Sequence, residues 1–238
     1  MGEVLNRDNM IKTPEELFNI IKAEAIGDKC FEHILEYIKP GMKEIQIAEE
    51  IDRTLSKLGS EGLAFPTICV SGERTNMPHG EPSDKIVEEG DLLTMDFGGI
   101  YKGMCGDMTR TIGIGHLSDE QIHVYNIVLE AQLNSLNICK AGVSCAEADR
   151  AARDIIESYG YGDHFIHTTG HGVGAGVHEA PRLAKDNAED ILSANMAVTV
   201  EPGIYIPDKF GVRIEDLAII TDFGIINATR SPKELIII

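Results

Sequence analysis

The spacing of apolar residues changes character twice along the chain, and the changes split it into two similar halves. Behind Thr13-Pro14-Glu15-Glu16, the residues Leu17, Ile20, Ile21, Ala25, Ile34, Leu35 and Ile38 recur near helical spacing. The tetrapeptide is a capping box with proline at the first helical position, and Pro40-Gly41 stops the run. Ile47, Ala48, Ile51, Leu55 and Leu58 predict a second helix, closed by Gly59. Residues 65–113 then switch to short β-rich runs punctuated by Gly and Pro. The order repeats. Ser118-Asp119-Glu120-Gln121 opens a third helix to about Lys140, and Ser144-Cys145-Ala146-Glu147 opens a fourth that ends at Gly160. β-rich sequence follows to the C-terminus, clearest at 198–200 and 217–221.

The halves align in register. Lys39-Pro40-Gly41-Met42 matches Lys140-Ala141-Gly142-Val143, and Gly59 follows Gly41 by the same 18 residues that separate Gly160 from Gly142. Leu93-Thr94-Met95-Asp96-Phe97-Gly98 matches Val198-Thr199-Val200-Glu201-Pro202-Gly203. Neither half alone has much core, so the pattern predicts one pseudo-symmetric α+β domain over residues 1–238, with internal halves of about 11–113 and 118–235. A ligand site is expected where the halves meet.

Composition narrows the function. Apolar residues at 43% and charged residues at 25% are ordinary globular values. With 21 basic and 39 acidic residues the net charge is −18, which leaves no basic face for nucleic acid and suits a protein that concentrates cations. Five Cys, at 30, 69, 105, 139 and 145, have no zinc-ribbon spacing and predict reduced thiols in a cytoplasmic protein. Met1 to Met10 holds no apolar leader, Asn6 breaks a myristoylation pattern at Gly2, and no apolar run reaches membrane length.

The candidate chemistry sits on carboxylates at repeat-related places. Asp96 and Glu201 each end an apolar β-like run, where a carboxylate is costly unless paired or metal-bound. On each strand a threonine two residues earlier, Thr94 or Thr199, shares the carboxylate's face. Asp107 and Glu215 lie late in their halves in similar contexts. One such acid alone is most simply a surface charge; four in matched positions are not. His167, His171 and His178 crowd a Gly-rich stretch, and His79 sits in the turn-like Pro78-His79-Gly80. Spacing alone does not say which histidine binds metal. Four carboxylates with histidine select Mn, Fe, Co or Zn, and their charge suits two divalent ions about 3.5–4 Å apart.

These stretches resemble the pita-bread metallopeptidases, in the branch of X-prolyl aminopeptidase (aminopeptidase P) and prolidase, from about Ile11 to Leu235. The resemblance rests on Ser71-Gly72-Glu73-Arg74 through Pro78-His79-Gly80, Met95-Asp96-Phe97-Gly98, and Gly106-Asp107-Met108-Thr109-Arg110-Thr111. It continues through Thr169-Gly170-His171-Gly172-Val173-Gly174 with His178-Glu179-Ala180-Pro181, then Thr199-Val200-Glu201-Pro202-Gly203-Ile204-Tyr205 and Val212-Arg213-Ile214-Glu215-Asp216. It implies a curved antiparallel sheet in a pseudo-twofold fold. It also implies five ligands to two divalent ions: Asp107 and Glu215 bridging, Asp96 on one ion, His171 and Glu201 on the other. Manganese is the first expectation, with Co, Fe and Zn compatible. Glu201 would shuttle a proton from the attacking water, while His79 and His178 would contact substrate and steady the tetrahedral intermediate. His167 would lie near substrate, Arg213 would orient a ligand carboxylate, and Thr109 would sit beside the metals.

The implied reaction is hydrolysis of the N-terminal bond before proline, as an X-prolyl aminopeptidase or dipeptidase acting on peptides with proline second. The alternatives are removal of initiator Met and a non-catalytic binding module. The bare catalytic layout is that of bacterial methionine aminopeptidase, yet that branch carries Cys before the first histidine, where this chain has Pro78. The five intact ligand positions argue against a binding module. The family more often has Gly at the position of Asn195. The N-terminal domain usual in the X-prolyl branch is absent from this sequence, which bears on proline specificity and on assembly; a homodimer is the expectation.

Overall fold

The computed structural model describes residues 9–238; the readings on an N-terminal leader and on Gly2 and Asn6 lie largely or wholly outside them. Helix α1 (Pro14–Tyr37) starts at Thr13, whose hydroxyl accepts from the Glu16 amide while the Glu16 carboxylate accepts from the Thr13 amide. Its buried face carries Ile20, Ala23, Cys30, Phe31 and Ile34, and also the charged Glu24. The helix ends where Ile38 turns extended before Pro40. Helix α2 (Glu44–Lys57) follows and packs Ile47, Ile51 and Leu55 into the same core. In the second half α3 (Asp119–Ile138) and α4 (Cys145–Ser158) repeat the arrangement, each opened by a serine capping box.

Strands β1 (Ile68–Ser71), β2 (Leu92–Phe97) and β5 (Met108–Gly113) form an antiparallel sheet in the order β1-β2-β5, with β3 (Ile100–Tyr101) and β4 (Met104–Cys105) as a hairpin between. The second half supplies β6 (Gly170–Gly172), β7 (Glu179–Leu183), β8 (Ala197–Val200), β11 (Asp216–Ile220) and β12 (Ile225–Asn227), ordered β12-β11-β8-β6-β7. A separate antiparallel pair joins β9 (Gly203–Ile206) to β10 (Phe210–Arg213). The ladders between these strands are all antiparallel, as the α+β reading expects, and Gly113 of β5 adds one isolated parallel bridge to Ile237.

The repeat extends to individual backbone hydrogen bonds. Gly41 donates to Val87 O as Gly142 donates to Leu192 O, both at 2.8 Å, and Val87 returns a bond to Met42 as Leu192 does to Val143. Gly41 and Gly142 share φ values of 92° and 93°, a left-handed backbone that favours glycine. Gly90 and Asn195 occupy matched turns with φ of 92° and 72°. Asparagine is among the few non-glycine residues that adopt this region readily, which explains how Asn195 stands at a glycine position.

The short β-rich runs read over 65–113 form five strands, with one long break between the first and the second. Between Ser71 and Leu92 the chain is loop with one 3-10 turn (Gly72–Asn76). Gly and Pro interrupt any ladder there, and the buried Glu44 carboxylate holds the segment by accepting from Ser71, Arg74 and Ser83. Asp96 also lies inside β2 rather than at its end, because Phe97 still pairs with Met108.

Candidate active site

The two halves meet along β5. Glu215 donates its amide to Thr109 O at 3.1 Å, and Thr111 exchanges hydrogen bonds with the Arg213 backbone. The bend between β10 and β11 is thereby pressed against the strand that follows Asp107. Asp96 sits directly across the ladder from Thr109. From the other sheet, His171 in β6 and Glu201 just after β8 reach the same place: the His171 amide donates to Thr199 Oγ1, whose hydroxyl donates to Glu201 Oε1, both at 3.1 Å. Thr199 therefore shares its carboxylate's face as the sequence suggests. Thr94 does not serve Asp96, because its hydroxyl pairs with Thr111 at 2.9 Å.

One cavity of about 1660 Å³ is lined by Asp96, Asp107, His171, Glu201 and Glu215, together with Arg213, His79, His167 and His178. Thr109 lies behind it, fully buried, and donates to Glu215 Oε2 at 2.5 Å. Donor atoms of Asp107, His171 and Glu215 all fall within 4.8 Å of one another. His171 Nε2 lies 3.2 Å from Glu201 Oε1 and 3.6 Å from Asp107 Oδ2. Asp96 is tied instead to Arg213, whose Nη2 donates to Asp96 Oδ2 at 2.6 Å while Nε donates to Thr109 Oγ1 at 3.0 Å. His79 and His178 stand exposed at the cavity, and the His178 ring meets the His171 ring edge-on at a centroid distance of 4.3 Å.

The charges in this cavity are out of balance. Asp107 and Glu215 are 5% and 2% exposed, and burial together with neighbouring carboxylates pushes both far above the usual range. Asp96 is raised by burial against the opposing pull of Arg213. Burial would also raise Glu201, but the hydrogen bond and charge of His171 bring it down to about 2. Burial disfavours the charged His171, yet Glu201 raises it above its ordinary value. Asp96 Oδ1 is buried with no hydrogen-bond partner, the kind of atom that asks for one. An orphaned carboxylate oxygen and several acids with too little positive charge fit divalent cations, and the oxygen-rich donor set with one imidazole is suited to them.

Arg213 fixes a further chain of hydrogen bonds. Its Nη1 donates to the Tyr205 hydroxyl at 2.9 Å, and a guanidinium can only donate. Tyr205 therefore donates to His167 Nε2 at 2.8 Å, leaving His167 Nδ1–H to donate to Thr168 O at 2.7 Å. Burial keeps this imidazole neutral by lowering its pKa. Both ring nitrogens are thus occupied, so His167 faces the cavity with its ring rather than with a free donor.

Sequence reasoning missed Tyr205's link and the role of Glu24. The Glu24 carboxylate accepts the Asp107 amide at 3.0 Å and the Thr229 hydroxyl at 2.6 Å, and burial pushes its pKa up to about 8. The signal was present, since Glu24 falls on the apolar stripe four residues after Ile20. A group neutral at pH 7 is mimicked by glutamine, so Glu24→Gln is expected to leave stability within about 1 kcal/mol. Glu24→Ala leaves the buried Asp107 amide unpaired and costs about 1–3 kcal/mol. Urea unfolding at pH 7 checks this; equal losses in both variants would refute the neutral assignment.

Comparison with known proteins places this geometry. The profile of metallopeptidase family M24 matches residues 19–222. The Xaa-Pro dipeptidase of Pyrococcus furiosus is 43% identical over 236 residues, which are 99% of this chain and 68% of that protein. The solved Xaa-Pro dipeptidase from Bacillus anthracis superposes with a TM-score of 0.95 at 50% identity, covering 96% of this chain and 64% of that one. The X-Pro aminopeptidase from Thermotoga maritima superposes with a TM-score of 0.94 at 42% identity, covering 96% and 65%. The chain spans about two thirds of the length of these relatives. With its pita-bread α+β fold and a buried Asp/His/Glu cluster fit for divalent metal, the chain belongs to metallopeptidase family M24.

Proposed function

We propose that the chain hydrolyses the peptide bond preceding a proline in second position, acting as an X-prolyl dipeptidase or aminopeptidase. The observation that carries this is the convergence of Asp96, Asp107, His171, Glu201 and Glu215 on one cavity, in a chain over 40% identical to proteins named for X-Pro hydrolysis. On this reading the five residues would hold two divalent ions, manganese first among the candidates. Bound there, the ions supply Lewis acidity and lower the pKa of water. The reading also takes residues 1–238 as one catalytic domain, cytoplasmic, forming a homodimer and binding no nucleic acid. In support, all five cysteines are free and buried, and among the described residues no helix is long and apolar enough to cross a membrane.

The chain's own residues would divide the work as follows. Glu201, ionised and steadied by Thr199 and His171, takes the proton from the attacking water and returns it to the leaving amine. His79 and His178, exposed on the cavity, hydrogen-bond the peptide and the oxyanion that forms from its carbonyl. Arg213 holds Asp96 in one rotamer and, through Tyr205, sets the tautomer of His167.

The test compares Ala-Pro, Ala-Pro-Gly and Met-Ala-Gly as substrates of the manganese-loaded protein, following release of the first residue. Cleavage of the proline peptides alone is expected, and the balance between the first two separates dipeptidase from aminopeptidase. Cleavage of Met-Ala-Gly alone would overturn the reading in favour of initiator-Met removal. No cleavage with two ions bound would overturn it in favour of a binding role or another substrate.

A further inference from the structure

The loop that carries His178 is built around a buried ion pair whose cation lies far from it in sequence. Lys12, in the segment leading into α1, donates from Nζ to Glu179 Oε2 at 2.7 Å, with side-chain exposures of 2% and 6%. The Lys12 amide is fixed to Asn195 O at 2.9 Å, and Nζ also bonds Asn9 O. Glu179 follows His178 directly, and its other oxygen accepts the Gly176 amide at 2.9 Å. The loop closes tightly on this carboxylate: a Cβ on Gly174 would come within 2.5 Å of Glu179 Oε2. Gly174 donates to Gly176 O and accepts from the Cys105 amide, two residues before Asp107. Residues 173–178 therefore have the Glu179 carboxylate as their internal acceptor, and Lys12 is the cation that meets it in the interior.

A buried ion pair is a poor device for stability, since apolar residues of similar volume do as well or better. It is a good device for holding one geometry, because each partner tolerates few positions for the other. We infer that Lys12 is a positioning residue for the active site, acting through Glu179 to hold the 173–178 loop so that His178 stands over the cavity beside His171. This rests on the reading that His178 contacts substrate.

The test uses the full chain loaded with manganese, Ala-Pro as substrate, and the variants K12M, K12R, H178A and the double variant K12M/H178A. K12M is expected to lower kcat about tenfold, since small misplacements of a reacting group are costly, with bound metal per chain unchanged. K12R is expected to recover most of that loss. On the H178A background K12M is expected to change kcat by less than about twofold, because residues acting as one unit are not additive. Full additivity in the double variant, or loss of metal in K12M, would overturn the inference. Hydrogen exchange supplies a readout independent of substrate: K12M should speed exchange of the Gly176 amide at least about tenfold while leaving the core of β8 protected. Unchanged exchange at Gly176 would overturn the inference. Faster exchange at Gly176 in a protein that does not cleave Ala-Pro would uphold the loop assignment while refuting the proline reading. Should K12M fail to fold, E179Q keeps an acceptor for Gly176, removes the charge pair, and is held to the same outcomes.

Discussion

Glu201→Ala is expected to lower hydrolysis of Ala-Pro by at least about a thousandfold at saturating metal, a barrier increase of about 4 kcal/mol. Glu201 is the one acid of the cluster pulled well below the usual range, down to about 2, although burial opposes it. The cause is His171, whose Nε2 lies 3.2 Å away, helped by Arg213. It is therefore the carboxylate of the cluster that stays ionised at neutral pH. Its removal also strips Thr199 of its acceptor and His171 of its closest carboxylate, so metal affinity should fall as well. The check is kcat over a metal titration, with metal content measured on the same samples. Activity within tenfold of the parent protein at saturating metal would remove Glu201 from the catalytic role.

Removing divalent metal with a chelator is expected to abolish hydrolysis and to destabilise the protein more at pH 8 than at pH 5. The sign follows from the pKa directions. Asp96, Asp107 and Glu215 are raised in the folded protein, and Glu24 is raised to about 8. Below about pH 4 these groups are protonated in both states and contribute no penalty. As pH rises, the unfolded chain releases its protons first, the folded state binds more, and stability falls until the folded groups titrate. Glu201 works in the opposite sense, adding stability above about pH 4 that is lost as pH falls toward 2, but it is one acid against four. Divalent cations bind the deprotonated ligands, so their stabilisation grows over the same range in which the metal-free protein weakens. A hundredfold excess of metal over its dissociation constant adds about 2.7 kcal/mol. Urea midpoints with chelator and with manganese at both pH values measure this. A metal effect equal or larger at pH 5 would contradict the assignment of these carboxylates as the ligands.

Much of this was legible in the chain itself, because it depends on local chemistry. Capping boxes at Thr13, Ser118 and Ser144 mark helix starts through bonds made within four residues, and all three form. The matched glycines at 41 and 142 mark positive-φ turns that few other residues accept. The four acids drew notice because a carboxylate in an apolar strand context needs a partner, and the structure buries Asp96, Asp107 and Glu215 in one cavity wall with Glu201.

Other features were decided only by tertiary structure, because they join residues that no local pattern connects. Asp96 and Arg213 are 117 positions apart, and Lys12 and Glu179 are 167 apart. Nothing in a strand's period says that Thr199 will serve Glu201 while Thr94 turns to Thr111, a choice set by which strand lies alongside. Between Ser71 and Leu92 the backbone is held by the buried Glu44 rather than by a ladder, a partner that the Gly and Pro punctuation of the sequence does not reveal. Hydrophobic period and capping act over a few residues and so can be read from sequence. The balance of charge in the cavity is a property of groups brought together from both halves, and it exists only once the chain has folded.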